Sequence, residues 1–199
     1  MNMPSEIRLL DHWHGIEVSA ALVELTRTLA ANRIDAQWWQ LEGVSKSKRA
    51  QEGDHHWVWR KLVGEHRNSL VWDFIGAQTD DGDIQGAISY RIDARSFLSP
   101  EFGTVYVDRL AAAPRNRPWL VPSPRFAGVG KGLLLRTVCH SYWLGLNGRV
   151  NLMSLPSERT RAFYENRGFI ATRERDDGMI EYELPAESAQ AWLTQEGLL

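Results

Sequence analysis

A glycine-rich segment that opens an apolar helix constrains this 199-residue chain more than any other feature. The segment reads Arg-Phe-Ala-Gly-Val-Gly-Lys-Gly over residues 125–132. Its glycines leave backbone N–H groups uncovered, so several of them can converge on one anion. The apolar residues that follow repeat with helical spacing over 133–146. Because the first-turn N–H groups of a helix have no internal partner, this junction predicts a phosphate-binding loop.

Three phosphate-binding patterns can be compared with this loop. The P-loop requires a glycine five positions before the Gly-Lys pair and Ser or Thr after it, but Arg125 and Gly132 stand there. The dinucleotide pattern G-x-G-x-x-G requires a strand before the loop and an acidic residue about twenty positions after it. Here a proline-rich segment comes before the loop, and the next acidic residue is Glu158. The third pattern, R-x-x-G-x-G, is matched by Arg125, Gly128 and Gly130.

This third pattern resembles the pyrophosphate loop of the GNAT N-acetyltransferase superfamily, which binds acyl-coenzyme A. Two flanking segments strengthen the resemblance. Residues 106–114 (YVDRLAAAP) are similar to the central strand of the family, which often ends in L-A-V-x-P. Residues 163–169 (FYENRGF) match the pattern L/F-Y-x-x-x-G-F on a later helix of the family. The three motifs occur in the family's order over roughly the last half of the chain.

The charge distribution agrees with an anionic ligand near the loop. Seven of the 23 basic residues, and no acidic residue, lie between Asp108 and Glu158. The rest of the chain then has 16 basic and 25 acidic residues. A cluster of positive charge in a near-neutral protein would favour the phosphates of coenzyme A, although a solvated basic face is the alternative.

Composition places the chain among ordinary globular proteins. The pI of about 6.3 gives no indication of general nucleic-acid binding. Cys139 is the single cysteine, so it cannot form an internal disulfide, and its place on the apolar helix predicts a core residue. We find neither a secretion signal nor an apolar stretch long enough to span a membrane, so a cytoplasmic protein is expected. The histidines lack the spacing of metal ligands, so no metal site is expected.

Periodicity predicts alternating strands and helices. The early elements are a strand over Glu6–Asp11, a helix over Ile16–Asn32, an exposed loop over Gly43–Gly53 and a helix from about Asp54 to His66. The later elements are strands over Leu70–Ala77, Ile84–Ile92, Gly103–Leu110 and Arg149–Leu155, a helix over Glu158–Asn166, a hairpin over Ile170–Arg173 and Met179–Leu184, and a short helix opened by Pro185. This order is typical of an α/β fold.

The resemblance implies a GNAT-like mixed, mostly antiparallel central sheet with splayed central strands, flanked by helices. It implies one domain over residues 1–199. Within it, about 1–67 would be a helical portion on the acceptor side, about 68–184 the sheet and acyl-CoA-binding core, and 185–199 a C-terminal helix.

The resemblance also implies an activity, transfer of an acetyl group from acetyl-CoA to a primary amine by direct attack through a tetrahedral intermediate. By resemblance, Tyr164 protonates the leaving sulfur; an unperturbed tyrosine pKa near 10 suits this role. Asp108 lies on the strand expected to face the acceptor, and it is either the base that takes the proton of the amine or a structural ion-pair partner. Many family members use only a chain of water molecules for that step.

The cofactor-binding positions implied by the resemblance lie on the central strand, the loop and the later helix. They are Leu110, Ala111, Ala112, Arg117, Arg125, Ala127, Gly128, Val129, Gly130, Lys131, Gly132 and Ser157. Backbone N–H groups at 110–112 would stabilise the developing oxyanion. Because about ten residues with three prolines separate Arg117 from the glycines, either Arg117 or Arg125 could be the basic residue of the loop.

The sequence also suggests residues that could bind the acceptor substrate. Trp38, Trp39, Tyr106 and Asn116 are candidate substrate-binding residues, with core filling as the alternative for the tryptophans. The expected partner is a small-molecule or peptide amine, without nucleic acid or membrane, and a homodimer is possible in this family. Three rival functions remain open: a catalytically silent acyl-CoA-binding module, a toxin of the same fold that acetylates aminoacyl-tRNA, and an unrelated α/β protein that binds another phosphate ligand.

Overall fold

A computed structural model describes residues 3–199 as a mixed α/β fold with a nine-stranded sheet of order β6-β1-β2-β3-β4-β5-β7-β9-β8. The strands are β1 (Glu6–Asp11), β2 (Ile16–Glu24), β3 (Trp72–Gln78), β4 (Ile84–Arg95), β5 (Gly103–Ala112), β6 (Phe126–Ala127), β7 (Val150–Ser154), β8 (Ile170–Glu174) and β9 (Ile180–Leu184). The helices are α1 (Arg27–Leu29), α2 (Lys46–Ala50), α3 (Trp59–His66), α4 (Val129–Trp143), α5 (Glu158–Glu165) and α6 (Ala186–Gln195). A π-helical turn (Ala30–Asp35) continues α1, and a 3-10 turn (Pro114–Asn116) follows β5.

The strands pair mostly in antiparallel fashion. β1 pairs in this way with β2 and β6, β2 with β3, and β9 with both β7 and β8. The central strands β5 and β7 are parallel, and their ladder runs from Val105–Val150 to Val107–Leu152. β5 then continues to Ala112. The predicted fold class is therefore confirmed.

The predicted helix over Ile16–Asn32 is wrong in its first half, because Ile16–Glu24 is the second strand of a hairpin. The turn is set by Asp11, whose carboxylate accepts the Trp13 N–H at 2.9 Å, and by Gly15, which has a φ of 67°. Val18 and Leu22 fit helical spacing, but they also fit the period of two that a strand requires. The turn chemistry decides between the two, so the first part of the chain is a hairpin rather than a helical portion.

The predicted exposed loop over Gly43–Gly53 contains the short helix α2. Its N-terminus is capped by Ser45, whose hydroxyl accepts the Lys48 N–H at 3.2 Å. Arg49 donates hydrogen bonds to the carbonyls of Leu41 and Val44. This segment is thus tied to the residues just before it, which sequence periodicity did not reveal.

The next helix begins later than predicted, at Trp59 rather than at Asp54. Its first turn is capped from a distance by Asp35, whose carboxylate accepts the N–H groups of Trp59 and Arg60 at 2.8 and 3.0 Å. Asp54 does not cap the helix; its carboxylate pairs with Arg117.

The chain divides into two compact units. The N-terminal unit contains Ser5–Ser89 and Arg109–Leu133. Its buried core is formed by Leu25, Ala30, Ile34, Trp38, Trp59, Val63, Phe74, Ile84, Ala87, Ala111 and Ala113. The π-helical turn after α1 and the helix α3 therefore contribute buried apolar residues that pack with those of β3, β4 and the end of β5.

The C-terminal unit contains Met3–Pro4, Tyr90–Asp108 and Leu134–Leu199. Its largest fully buried side chains include Tyr90, Tyr182, Leu134, Leu152 and Leu184. Cys139 is fully buried here, and burial raises the pKa of its thiol to about 11. The prediction that Cys139 is a core residue is confirmed.

None of the helices within residues 3–199 is both long and apolar enough to cross a lipid bilayer.

Candidate active site

The glycine segment of the N-terminal unit lies between a two-residue strand and a helix. Phe126 and Ala127 form β6 and pair with β1. Gly128 follows with a φ of 92°, a left-handed conformation that residues with side chains rarely adopt. α4 begins at once, and its first turn is closed by a 2.9 Å hydrogen bond from the Gly132 N–H to the Gly128 carbonyl. The predicted glycine turn into a helix is therefore present, whereas β6 was not predicted.

The start of α4 packs so closely on the sheet that neither Gly132 of the helix nor Gly86 of the sheet could carry a side chain without a shift of its neighbours. A Cβ on Gly132 would lie 2.8 Å from side-chain atoms of Ile7 on β1. A Cβ on Gly86 of β4 would lie 2.3 Å from Cγ1 of Val129. The backbone at the helix N-terminus is thus fixed on the sheet, and the amides of Val129 and Gly130 precede the first helical hydrogen bond.

Arg125, the arginine of the motif, is one-third exposed and lies among acidic and aromatic groups. Its Nε is 3.2 Å from Oδ2 of the buried Asp11, and its Nη1 is 3.6 Å from Oδ2 of Asp81. The guanidinium lies over the rings of Trp13 and Phe126, at 5.2 and 4.6 Å from their centroids. Its charge is therefore shared with two carboxylates at the entrance to the loop.

The Asp11 carboxylate is a strong acid in this environment. Burial on its own would raise its pKa. Hydrogen bonds from His14, the Trp13 N–H and Arg125 outweigh burial and lower the pKa to about 2. Asp11 therefore stays ionised at neutral pH and holds Arg125 in place.

Arg117, the other candidate for the basic residue of the loop, is buried in an ion-pair cluster. Its Nη1 donates to Glu52 at 2.7 Å and to Asp54 at 2.8 Å. Its Nη2 donates to Asp54 and to the Ala112 carbonyl, which also accepts a 3.0 Å bond from Nε. These contacts use all five N–H groups of the guanidinium, so none is left for a phosphate. This differs from the cofactor-binding role considered for Arg117 and favours Arg125.

Asn116 is also buried rather than turned toward an acceptor. Its amide nitrogen donates to Oε1 of Gln85 at 3.0 Å, and its oxygen accepts the Phe126 N–H at 3.2 Å. The side chain thus connects β4 to β6. It fixes the proline-rich segment between them, which differs from the substrate-binding role predicted from the sequence.

The last residues of β5, Leu110 to Ala112, are the ones that the resemblance assigns to the acyl-CoA arm. Ala111 is buried, and its neighbours are half-buried. The Ala112 carbonyl is bound by Arg117, so that backbone group is occupied. β5 is hydrogen-bonded to β4 along one edge, and the Ala113 N–H donates to the Gln85 carbonyl, so only N–H groups in this stretch that point away from β4 could meet a ligand.

Tyr164 lies on α5 in the C-terminal unit and is 8% exposed. Its ring contacts those of Phe163, Phe169 and Tyr182 at centroid distances of 5.0, 5.4 and 5.7 Å. Burial raises the pKa of the Tyr164 phenol above its ordinary value, and the nearby Arg167 offsets this only in part. The phenol therefore keeps its proton over the physiological range.

Ser157 begins the same helix. It is exposed and acts as the N-cap residue, because its hydroxyl accepts the Thr160 N–H at 3.2 Å. This contact gives Ser157 a structural role, and its predicted contact with the cofactor stays a prediction.

Tyr106 and Asp108 lie two residues apart on β5, so both side chains are on the same face of the sheet, and both are half-buried. The pKa of Tyr106 is raised, first by burial and then by the Asp108 carboxylate. A carboxylate and a tyrosine thus occupy one face of the central strand in the C-terminal unit.

Of the two predicted acceptor tryptophans, Trp38 is a core residue. It is 2% exposed, and its indole N–H donates to the Ile84 carbonyl at 3.0 Å. Its ring meets that of Trp59 edge-on at 6.3 Å. Trp39 is half-buried, with the Arg117 guanidinium 5.5 Å from its ring centroid. Trp38 therefore fills the core, which was the alternative interpretation.

Two cavities in the N-terminal unit were not predicted. One of about 300 Å³ is lined in part by Trp13, Arg115 and Arg125. The other, of about 220 Å³, is lined in part by Trp57 and Arg109. Arg109 immediately precedes Leu110, and this adjacency to the motif was the only signal in the sequence for the second cavity.

Within residues 3–199, no three His, Cys, Asp or Glu side chains are grouped closely enough to hold a metal ion.

No protein-family model matches the chain, and no curated protein matches it in sequence. Solved structures do match. The PaiA N-acetyltransferase from Thermoplasma acidophilum in complex with coenzyme A is 18% identical, with a TM-score of 0.52 over 83% of this chain and 98% of the other. The GNAT domain of S. lividans PAT is 16% identical, with a TM-score of 0.58 over 89% and 95%.

A KacTA–DNA complex also matches, at 16% identity and a TM-score of 0.50, over 87% of this chain and 99% of the other. The expectation that nucleic acid is not a partner therefore stays a prediction. Identities this low establish a common fold and nothing finer. The chain has the fold of the GNAT acetyltransferases.

Proposed function

We propose that the chain is an acyl-CoA-dependent N-acetyltransferase that transfers an acetyl group from acetyl-CoA to a primary amine. One observation carries this proposal. In a GNAT fold, Gly128 turns through a left-handed conformation directly into α4, and the amides of Val129 and Gly130 precede the first hydrogen bond of the helix, an arrangement that suits an anion. The proposal treats the two compact units as parts of one domain over residues 1–199.

The cofactor would bind through its pyrophosphate at the N-terminus of α4. The amides of Val129 and Gly130 and the charge of Lys131 suit a phosphate, and Arg125 is the nearby arginine. Ala127 contributes backbone close to the ligand, whereas Gly132 acts indirectly by letting α4 pack closely on Ile7 of β1. The N–H groups of Leu110 to Ala112 would hold the thioester carbonyl, where negative charge develops as the amine attacks.

The transfer needs one proton removed and one supplied. The amine nitrogen forms a bond to the thioester carbon while the carbon–sulfur bond breaks. The proton of the amine goes to Asp108, directly or through water, and Tyr164 gives a proton to the leaving thiolate. Burial raises the pKa of Tyr164, so the phenol is protonated at the start of every cycle, but it is a weaker acid toward the thiolate than the unperturbed tyrosine expected from the sequence.

A thermal-shift titration with acetyl-CoA, coenzyme A, ATP and NAD tests the proposal. A ligand at about 100 times its Kd stabilises the folded state by about 2.7 kcal/mol, which is readily detected. We expect a shift with acetyl-CoA and coenzyme A and none of similar size with ATP or NAD. Equal shifts with all four would instead indicate a general phosphate site.

A pair of glycine variants provides the matched control. Gly128→Asp adds a carboxylate and backbone strain at the loop, where φ is 92°. Gly178→Asp adds the same group at a φ of 79° in the turn between β8 and β9. We expect only Gly128→Asp to abolish the coenzyme A shift. An unchanged shift in Gly128→Asp would exclude this loop as the cofactor site.

A further inference from the structure

Arg125, the arginine of the glycine loop, is shared between two carboxylates that differ in burial. Its Nε is 3.2 Å from Oδ2 of Asp11, whose side chain is 2% exposed. Its Nη1 is 3.6 Å from Oδ2 of Asp81, whose side chain is 44% exposed. The first distance is that of a hydrogen bond, and the second is too long for one. The two carboxylates therefore hold the same guanidinium with unequal strength.

Asp11 fixes the position of Arg125. Its Oδ1 accepts the Trp13 N–H at 2.9 Å, and its Oδ2 lies 3.0 Å from Nδ1 of His14, so its own turn holds the carboxylate. The guanidinium carbon lies 5.2 and 4.6 Å from the ring centroids of Trp13 and Phe126. Because Asp11 binds Nε, the Nη1 and Nη2 nitrogens are left for another partner, and together they suit a phosphate.

Asp81 directs only one of its oxygens to Arg125. Its Oδ1 accepts the Thr79 hydroxyl at 2.7 Å and the Asp83 N–H at 3.1 Å, so the hairpin turn holds this oxygen. Its Oδ2 forms the ion pair with Nη1 of Arg125. A phosphate that approaches Nη1 must therefore compete with a carboxylate that is fixed in place.

A cavity of about 300 Å³ lies beside this ion pair and gives a phosphate room to approach Nη1. Asp81 and Arg125 line it together with Asp83 and Arg115, all within the N-terminal unit. Arg115 lies 3.4 Å from Asp83 and also donates to Oε1 of Gln85 at 3.2 Å. Arg125, whose Nη1 has a carboxylate only at 3.6 Å, is therefore the lining cation that exchanges its partner more readily.

We propose that Asp81 competes with a phosphate group of the cofactor for Arg125, whereas Asp11 positions Arg125 to bind that phosphate. The phosphate replaces Asp81 at Nη1 and leaves the bond from Nε to Asp11 in place. This inference rests on the proposed acetyltransferase function and deepens it, because it assigns two opposed carboxylates that set the affinity for the cofactor. When coenzyme A leaves, the ion pair with Asp81 forms again and favours product release.

Calorimetric titration of the full chain with coenzyme A measures the effect of removing each carboxylate. Asp81→Asn keeps Oδ1 as the acceptor in the hairpin turn and removes the charge near Nη1. Its Kd should fall about 2- to 5-fold, the contribution of one exposed ion pair. Asp11→Asn should raise the Kd about 5-fold or more, because Arg125 loses the acceptor that orients it. A general charge effect would instead lower the Kd in both variants.

Asp80→Asn is the matched control. Asp80 is the exposed residue before Asp81 in the same turn, so this variant makes the same change in net charge. It should change the Kd by less than about 1.5-fold, because exposed charges at a distance are screened.

A double-mutant cycle shows whether Asp81 acts through Arg125. Arg125→Gln should raise the Kd about 10- to 100-fold, as loss of a charge-assisted contact requires. With Arg125→Gln already present, Asp81→Asn should change the Kd no more than Asp80→Asn does. A merely structural role of Asp81 would not produce this dependence on Arg125. The cycle needs no Asp11 variant, so its result holds even if Asp11→Asn destabilises the fold.

The outcomes separate the two proposals. If coenzyme A binds and Asp81→Asn changes the Kd no more than Asp80→Asn, the inference is overturned and the acetyltransferase proposal stands. A lower Kd in a folded Asp11→Asn variant, or an equal gain from Asp81→Asn with and without Arg125, would also overturn the inference. If coenzyme A binds neither to the unchanged chain nor to any variant, the acetyltransferase proposal fails, and the inference fails with it.

Discussion

Arg117 and Asp54 form a bidentate ion pair in which both carboxylate oxygens accept guanidinium N–H groups, in a part of the N-terminal unit that is almost closed to solvent. The two residues are 63 positions apart in the chain. The pair joins the segment before α3 to the segment after β5, because Arg117 also binds the Ala112 carbonyl.

Removing one partner of this pair should destabilise the protein strongly. We expect Arg117→Met to lower the free energy of unfolding by about 3 to 5 kcal/mol, because it leaves buried carboxylates without their counter-charge. Urea denaturation measures the change. As a control, Arg8→Gln removes a pair with Glu17 between two exposed side chains and should change stability by about 1 kcal/mol or less. A small loss in Arg117→Met would mean that water reaches the cluster.

The Asp11 carboxylate should make stability depend on pH in the acid range. Its pKa is about 2 in the folded state and about 3.9 in the unfolded chain. A lowered folded-state pKa gives stabilisation that is complete above about pH 4 and is lost as the pH falls toward 2. The difference in stability between the unchanged chain and Asp11→Asn should therefore shrink over this range.

Denaturation curves collected between pH 6 and pH 2 test this expectation. Asp176→Asn, which removes a carboxylate at an exposed turn position, is the control and should change stability by about 1 kcal/mol or less. A difference for Asp11→Asn that stays constant down to pH 2 would contradict the assignment of the low pKa to Asp11.

Tyr164→Phe tests the proposed acid. If the phenol protonates the leaving thiolate, kcat should fall about 100-fold or more while coenzyme A binding is kept. Because burial raises the pKa of Tyr164, its ionisation should not limit kcat below about pH 10. Tyr182→Phe is the matched control, since it removes a buried phenol that donates to Glu165 at 2.8 Å.

The control should lose about 1 kcal/mol of stability and keep its kcat. If acetyl transfer is detected neither in the unchanged chain nor in Tyr164→Phe while coenzyme A binds to both, a catalytically silent acyl-CoA-binding module is favoured. If transfer is detected and unchanged, the proton comes from another group or from water.

Two glycine-to-alanine substitutions should act in opposite directions. In Gly86→Ala the new methyl group would lie 2.3 Å from Val129 and 3.0 Å from the Ala111 carbonyl, so we expect a loss of about 1 to 3 kcal/mol and a smaller coenzyme A shift. In Gly64→Ala, inside α3, the nearest atom is on Arg27 at 3.6 Å, so we expect a gain of about 0.5 to 1 kcal/mol. Parallel urea curves and thermal shifts measure both effects. Similar stability in the two variants would show that α4 can move away from β4.

The fold class and the glycine turn followed from local patterns. The motif around Gly128 needs only neighbouring residues, and the strands and helices after Leu70 showed clear periodicity, so most of them were placed to within a few residues. The prediction of a helix over Ile16–Asn32 was wrong in its first half because the spacing of Val18 and Leu22 fits both the period of a helix and the period of a strand. There, the turn formed by Asp11 and Gly15 decided the structure.

Only those parts of the candidate site that are formed by neighbouring residues in the sequence could be predicted. Other contacts join residues far apart in the chain. Arg117 binds Glu52 and Asp54, and Asn116 binds Gln85, over separations of 31 to 65 residues. Such pairings leave no periodic signal. The resemblance could not separate Arg117 from Arg125 for the same reason.

The two residues of β6 have a consequence for solubility as well as for ligand binding. β1 would otherwise be the edge of the sheet, and an uncovered edge strand can pair with another molecule and start aggregation. Phe126 and Ala127 cover its end by pairing with Asp11 and Leu10. A deletion in the proline-rich segment before Phe126 would therefore displace the glycine loop. It would also uncover the edge of β1 for self-association, so both ligand binding and solubility depend on the length of this segment.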